Sequence, residues 1–189
     1  MANGFEIKLD VTNEKDIAKI ANDLNKYAVY VGIPQKSSSR NGEITNAELL
    51  FIHTNGVKKA TTITDNAPKG NAAYLMYEHE HGSPLYRIPP RPVLEPALND
   101  KKDDIRNTLD KSVKIGLDGD MPGYVNALQR LGLRCQNFAR AWFNNPKNGW
   151  APNAPATIRA KGSDKPLIDT GELRKSITYV VRKGGRDID

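Results

Sequence analysis

A single cysteine in 189 residues, Cys135, excludes any disulfide within the chain, and its place in an apolar helical pattern marks it as a buried thiol in a reducing compartment. No apolar run approaches the 18 or so residues of a membrane span. MANGFEIKLDV has neither the basic start nor the apolar stretch of a signal peptide. Aromatic residues make up 7% of the chain and hydrophobic residues 38%, which allows one domain with a modest core and appended loops. The phosphate-binding patterns GxxxxGK[ST] and GxGxxG do not occur, and GLDGD at 116–120 lacks the spacing and closing glutamate of a calcium loop.

Charge is abundant but uneven. Residues 1–129 hold 16 Lys and Arg against 17 Asp and Glu, whereas 130–189 hold 12 against 5, so the net +6 belongs to the C-terminal third. That third has no compact basic run interleaved with aromatics, which leaves contact with nucleic acid as an incidental role at most.

The elements follow from periodicity. FEIKLDV alternates as a strand, and Ile17, Ile20, Ala21 and Leu24 then recur at helical spacing behind a cap at Thr12 or Asn13. YAVYVGIP reads as a strand that leads into the polar loop QKSSSRNGEI. Two similar segments, TNAELLFIHTNG at 45–56 and GNAAYLMYEHEHG at 70–82, each fit a short helix closed by glycine; 57–70 between them reads as an inserted loop or hairpin. A proline-rich extended arm covers 83–92. One long amphipathic helix is expected from Val93 to Val113 with Pro96 in its first turn, and a second carries Tyr124, Leu128, Leu131, Cys135, Phe138 and Trp142 on one stripe. A turn-rich stretch then delivers a final strand over Ser176–Arg182. The expected class is α+β: a small antiparallel or mixed sheet packed against two long helices, with extended loops or arms, in one domain over 1–189.

Two stretches invite chemistry. In EHEH, His79 and His81 are two apart; on a helix they diverge by roughly 200°, and only on a strand could they share an ion, with His53 the one histidine left to complete a site. A solvated helix end or a polar contact between subunits explains them better. LIDTG at 167–171 matches the local signature of an aspartic protease, in which Asp169 would share a proton with its copy in a dimer. Only 18 residues follow Gly171, too few for the sheet and flap such an enzyme needs, so Asp169 and Thr170 read as a cap for the turn ELRKS. No catalytic residue, cofactor or metal is expected.

Five blocks in order, VGI at 31–33, NAAYLMYEHEHG at 71–82, IPPRPVLEPAL at 88–98, WAPNAPATIRAKG at 150–162 and PLIDTGELRKSITY at 166–179, resemble the virion morphogenesis or tail-completion family of tailed bacteriophages. That family includes the tail-completion protein of Mu-like phages and is similar to the tail-terminator and neck proteins of long-tailed phages. The last two blocks are the most specific. His81 stands where the family has an aromatic residue, and Val93 where it has phenylalanine.

The resemblance implies a structural virion protein: a homo-oligomeric, hexameric ring at the head-proximal end of the tail, meeting the tail tube protein on one face and neck or connector proteins on the other. It would be assembled in the bacterial host cytoplasm and end in the virion, with no membrane and only incidental contact with genomic DNA. The alternative within the same biology is a head-tail adaptor bound directly to the connector. Contact surfaces are expected at Pro89, Pro90 and Pro92, whose fixed φ pre-orders the arm, and at Arg91, whose planar fork suits a carboxylate on a neighbour or an internal salt bridge. Trp150, Asp169, Thr170 and Arg174 belong to the two specific blocks. Arg130 and Arg134 share a helix face; with Arg140, Lys161 and Lys165 they are expected to meet acidic patches on adjacent subunits or on the tube.

Overall fold

The computed structural model describes residues 14–34, 44–56 and 88–188. The expected strand FEIKLDV, the cap at Thr12 or Asn13, most of QKSSSRNGEI, the 57–70 insertion, the EHEH histidines and the first part of the arm lie outside these residues.

Helix α1 (Glu14–Leu24) turns through two residues into strand β1 (Tyr27–Gly32). Helix α2 (Asn46–Asn55) starts at a capping box: Thr45 Oγ1 accepts from the Glu48 amide at 3.2 Å while the Glu48 carboxylate accepts from the Thr45 amide at 2.8 Å. Gly56 ends it with φ 72, and a side chain there would collide with the arm: an added Cβ would lie 2.7 Å from the Ile88 carbonyl.

The long helix expected from Val93 is two helices, α3 (Leu94–Asp100) and α4 (Lys102–Leu117), parted at Lys101 with φ −114 and ψ 15. Six polar residues, 99–104, separate Leu98 from Ile105, so no apolar anchor holds the chain straight across that point. Pro96 falls in the first turn of α3, where its missing N–H costs nothing. Helix α5 (Met121–Trp142) follows a cap at Asp120, whose carboxylate accepts from the Gly123 amide at 2.8 Å. Its stripe of Tyr124, Leu128, Leu131, Cys135 and Trp142 is buried as the spacing requires, with Ala139 taking the central place and Phe138 only half-buried.

After a 3₁₀ turn (Pro146–Asn148) come two short helices, α6 (Pro155–Lys161) and α7 (Glu172–Ser176), then strands β2 (Thr178–Lys183) and β3 (Arg186–Ile188). The final strand starts two residues later than expected because 172–176 close as a helix. The sheet order is β1-β2-β3, antiparallel throughout, with Tyr27 opposite Lys183 and Gly32 opposite Thr178. Gly184 and Gly185, with φ 56 and 82, form the two-residue turn that starts β3, a strand the sequence reading did not anticipate.

One face of the sheet lies on α5, which also contacts α3 and α4, so the fold is α+β with a small antiparallel sheet. Gly132 sets the helix-sheet distance: a Cβ there would come within 2.2 Å of Tyr179 Cδ2. The core has two parts. Leu24, Tyr124, Leu128 and Val181 form one, beside the T-shaped Tyr27–Tyr124 ring pair at 5.5 Å. The other centres on Val93, Ala97, Ala139, Trp142, Leu173 and Ile177, and each large aliphatic side chain fully buried there contributes about 1.5–3 kcal/mol. This second part underlies the site described next.

Candidate binding cleft

Three separate segments converge over the second core. The arm at 88–93 lies between α2 and the loop at 150–153: the Trp150 indole donates from Nε1 to the Pro92 carbonyl at 3.1 Å, and its ring stands edge-on to Phe143 at 5.8 Å. Arg91 is 7% exposed. It donates from Nε and Nη2 to the Ala151 carbonyl at 3.1 and 2.9 Å, and from Nη2 to the Pro152 carbonyl at 3.1 Å. The loop is rich in proline and short of N–H donors, so its carbonyls depend on a side chain for a partner. Arg91 therefore forms no salt bridge among the described residues, where an internal one was one of the two expected roles. Burial pushes its guanidinium below the usual arginine range.

The third segment, 166–173, closes the site. Leu167 adopts φ 58, an uncommon left-handed conformation for a branched residue, and its side chain packs against the core. Gly171, at φ 80, occupies the cap position of α7, so Thr170 and not Asp169 lies next to the helix start. The Thr170 hydroxyl accepts from the Glu172 amide at 3.4 Å; the Asp169 carboxylate is exposed and caps nothing among the described residues, which corrects the expected cap. Asn46 of α2 donates to Ser176 Oγ at 2.8 Å, which in turn donates to the Glu172 carbonyl at 2.8 Å, tying α7 to α2. Arg140 Nε and Nη2 hold the Ile177 and Lys175 carbonyls at 3.0 and 2.8 Å as the chain leaves α7.

Between these segments lies a cleft of about 770 Å³. Leu49, Ile88, Pro89 and Leu167 supply apolar wall, Arg91 a buried cation, and Asp169, Thr170, Glu172 and Lys161 polar lining. Comparison with family models, curated proteins and solved structures finds no match to this chain.

Of the residues singled out in the sequence, Pro89, Arg91, Asp169 and Thr170 line the cleft, and Pro92 and Trp150 clamp the arm behind it. Pro90 is exposed, and Arg174 is half-buried on α7. Arg130 and Arg134 lie on α5 and do not line the cleft. Arg130 is exposed beside Leu133 and Tyr179; Arg134 is engaged within the chain, paired with Asp104 and donating to Thr108 Oγ1 at 2.8 Å across the α4–α5 contact. Lys161 donates to the Lys165 carbonyl at 2.5 Å. Arg134, Arg140 and Lys161 thus each have a partner within the chain.

Sequence reasoning missed Leu49, His53, Asn153 and Thr157 as cleft walls. The first two are four apart on α2 and so share a face, as the helical period requires. Asn153 is buried and donates to the Asp164 carbonyl at 3.0 Å, a contact that no local pattern announces.

Two further facts concern chemistry elsewhere. Among the described residues no group of three or more His, Cys, Asp or Glu is placed to hold a metal, and no helix is long and apolar enough to cross a membrane. Burial pushes the Cys135 thiol up, which disfavours the reactive thiolate.

Proposed function

We propose that this protein is a structural virion component that forms a homo-oligomeric ring at the head-proximal end of a phage tail, completing the tube and joining it to the neck or connector. The observation that carries the reading is the convergence of three resemblance-bearing blocks. IPPRP at 88–92, WAPNAP at 150–155 and LIDTGEL at 167–173 are separate in sequence, yet they meet at one cleft through Arg91, Trp150 and the Leu167–Gly171 turn.

The three blocks meet through prolines, a carbonyl-bound arginine and the Leu167 turn, contacts that hold a surface in shape. A ring built from identical chains needs such pre-shaped, unlike surfaces on its two sides, because a heterologous contact closes only when both faces keep their geometry.

The test is to mix purified protein with tail tube protein and to image labelled particles. The reading expects the label at the tube end nearest the head and stable association with capped tubes. Label on the connector in particles without tubes would favour the adaptor alternative, and no association with either would overturn the reading.

A further inference from the structure

Among the described residues β1 is an edge strand, paired on one side with β2. The Gly184 amide donates to the Lys26 carbonyl at 2.9 Å, one step beyond the register that sets Tyr27 opposite Lys183. Bonded pairs alternate along an antiparallel ladder, so Ala28 and Tyr30 bond to β2, while the N–H and C=O groups of Tyr27, Val29 and Val31 point to the other edge. Such an edge is a template for one more strand.

Beside that edge lies an apolar groove of about 740 Å³. Val29 and Val31 supply its β1 wall, and Ile105 and Leu109 of α4 and Leu128 of α5 line it as well. Leu109 is 38% exposed, so the groove opens to water. On the other face of β1, Tyr30 is 50% exposed. A strand added here meets apolar side chains on one face and solvent on the other, which calls for strict alternation in its sequence.

Residues 1–13 precede α1 and lie outside the described residues. Their stretch FEIKLDV alternates Phe5, Ile7, Leu9 and Val11 with Glu6, Lys8 and Asp10, and its seven residues compare with six in β1. Thr12 and Asn13 alone separate Val11 from the start of α1 at Glu14. The last residue of α1, Leu24, meets the end of α4: a Cβ on Gly116 would lie 2.5 Å from Leu24 Cδ2. One turn earlier on each helix, Ile20 and Val113 pack against the same core. The two helices therefore run in the same direction, and α1 begins back toward Ile105 and Leu109, where the groove lies. The connection from 12 to 26, with α1 inside it, has the length that a crossover between parallel neighbours needs.

We propose that residues 5–11 of the same chain form a further strand on the free edge of β1, parallel to it, with Phe5, Ile7, Leu9 and Val11 seated in the groove. The edge groups of Tyr27, Val29 and Val31 then gain main-chain partners, and Glu6, Lys8 and Asp10 face water beside Tyr30. The contact is within one chain and does not depend on ring assembly.

The experiment is amide hydrogen exchange of the full chain, read residue by residue by NMR. Val29 and Val31 are expected to be protected although their amides face away from β2. In the double variant Ile7→Asp with Leu9→Asp they should exchange about ten-fold faster or more, because the edge then opens to water, while Ala28 and Tyr30 keep their protection. Lys8→Glu, on the outward face, should leave all four amides unchanged. Nuclear Overhauser contacts from the methyl groups of Ile7 and Leu9 to those of Ile105 and Leu109 in the unaltered chain give a second measurement that does not depend on how the variant folds. Unprotected Val29 and Val31, protection that survives the double variant, or absent methyl contacts would overturn the inference. So would methyl contacts found only between differently labelled chains, which would assign the groove to a second copy.

Discussion

Arg91 and Ala151, 60 residues apart in sequence, are joined by two hydrogen bonds from the guanidinium to one carbonyl, and this junction holds the proline arm to the loop that follows α5. Arg91→Met keeps most of the apolar stem and leaves the Ala151 and Pro152 carbonyls without their donor. The expected loss of stability is about 1–3 kcal/mol, from hydrogen bonds to a charged group that are no longer made. Urea unfolding measures it, and an unchanged midpoint would show that the carbonyls have other partners.

Close approach of α5 to the sheet rests on Gly132. In Gly132→Ala the new methyl meets the Tyr179 ring near its root, where the side chain has little freedom to yield. The variant should lose about 1–3 kcal/mol. Combining it with Tyr179→Val should recover part of that loss, and strict additivity of the two changes would contradict the contact.

Much of this fold was legible because periodic apolar patterns and local capping chemistry act over a few residues. The glycine stop at Gly56, Pro96 in a first turn, and the Tyr124-to-Trp142 stripe all stand where the pattern put them. The break at Lys101 was hidden because α3 and α4 keep similar helical periods on either side of it; what differs is the core each one faces. Strand β3 was missed although Gly184-Gly185 is a strong hairpin signal, since three residues are too few to show alternation. The site was half visible: Arg91 and Asp169 stood out in the sequence and both line the cleft, but the main-chain carbonyls that hold Arg91 were not foreseen. Tertiary partners of that kind leave no spacing to read.

Asp100 joins the end of α3 to the 3₁₀ turn, accepting from Lys147 Nζ at 2.8 Å and from Lys101 Nζ at 3.1 Å. The hydrogen bond from Lys147, then that from Lys101, holds its carboxyl below the usual range. A carboxyl lowered in the folded state contributes stability above its unfolded value of about 4, and that contribution is lost as pH falls through the lower folded value. The difference in stability between the parent and Asp100→Asn should therefore be constant near neutrality and shrink below about pH 4. A difference that persists unchanged into that acid range would rule out this linkage.

Asp169 separates a role in folding from one in contact. Because its carboxylate is exposed and caps nothing among the described residues, Asp169→Asn should change the stability of the isolated chain by no more than about 0.5 kcal/mol. If the cleft rim meets a neighbour, the same change should weaken assembly. Loss of a proteolytic product in the Asn variant, with assembly intact, would instead revive the protease-like reading of LIDTG.

The central claim is that identical chains close into a ring through surfaces of this kind. Native mass measurement of the purified protein over a range of concentrations, alone and with tail tube protein, tests it most directly. The account predicts one closed homo-oligomer, expected to be a hexamer, that forms or is captured when tube protein is present. A species that stays monomeric at every concentration and never associates with tube protein would contradict it.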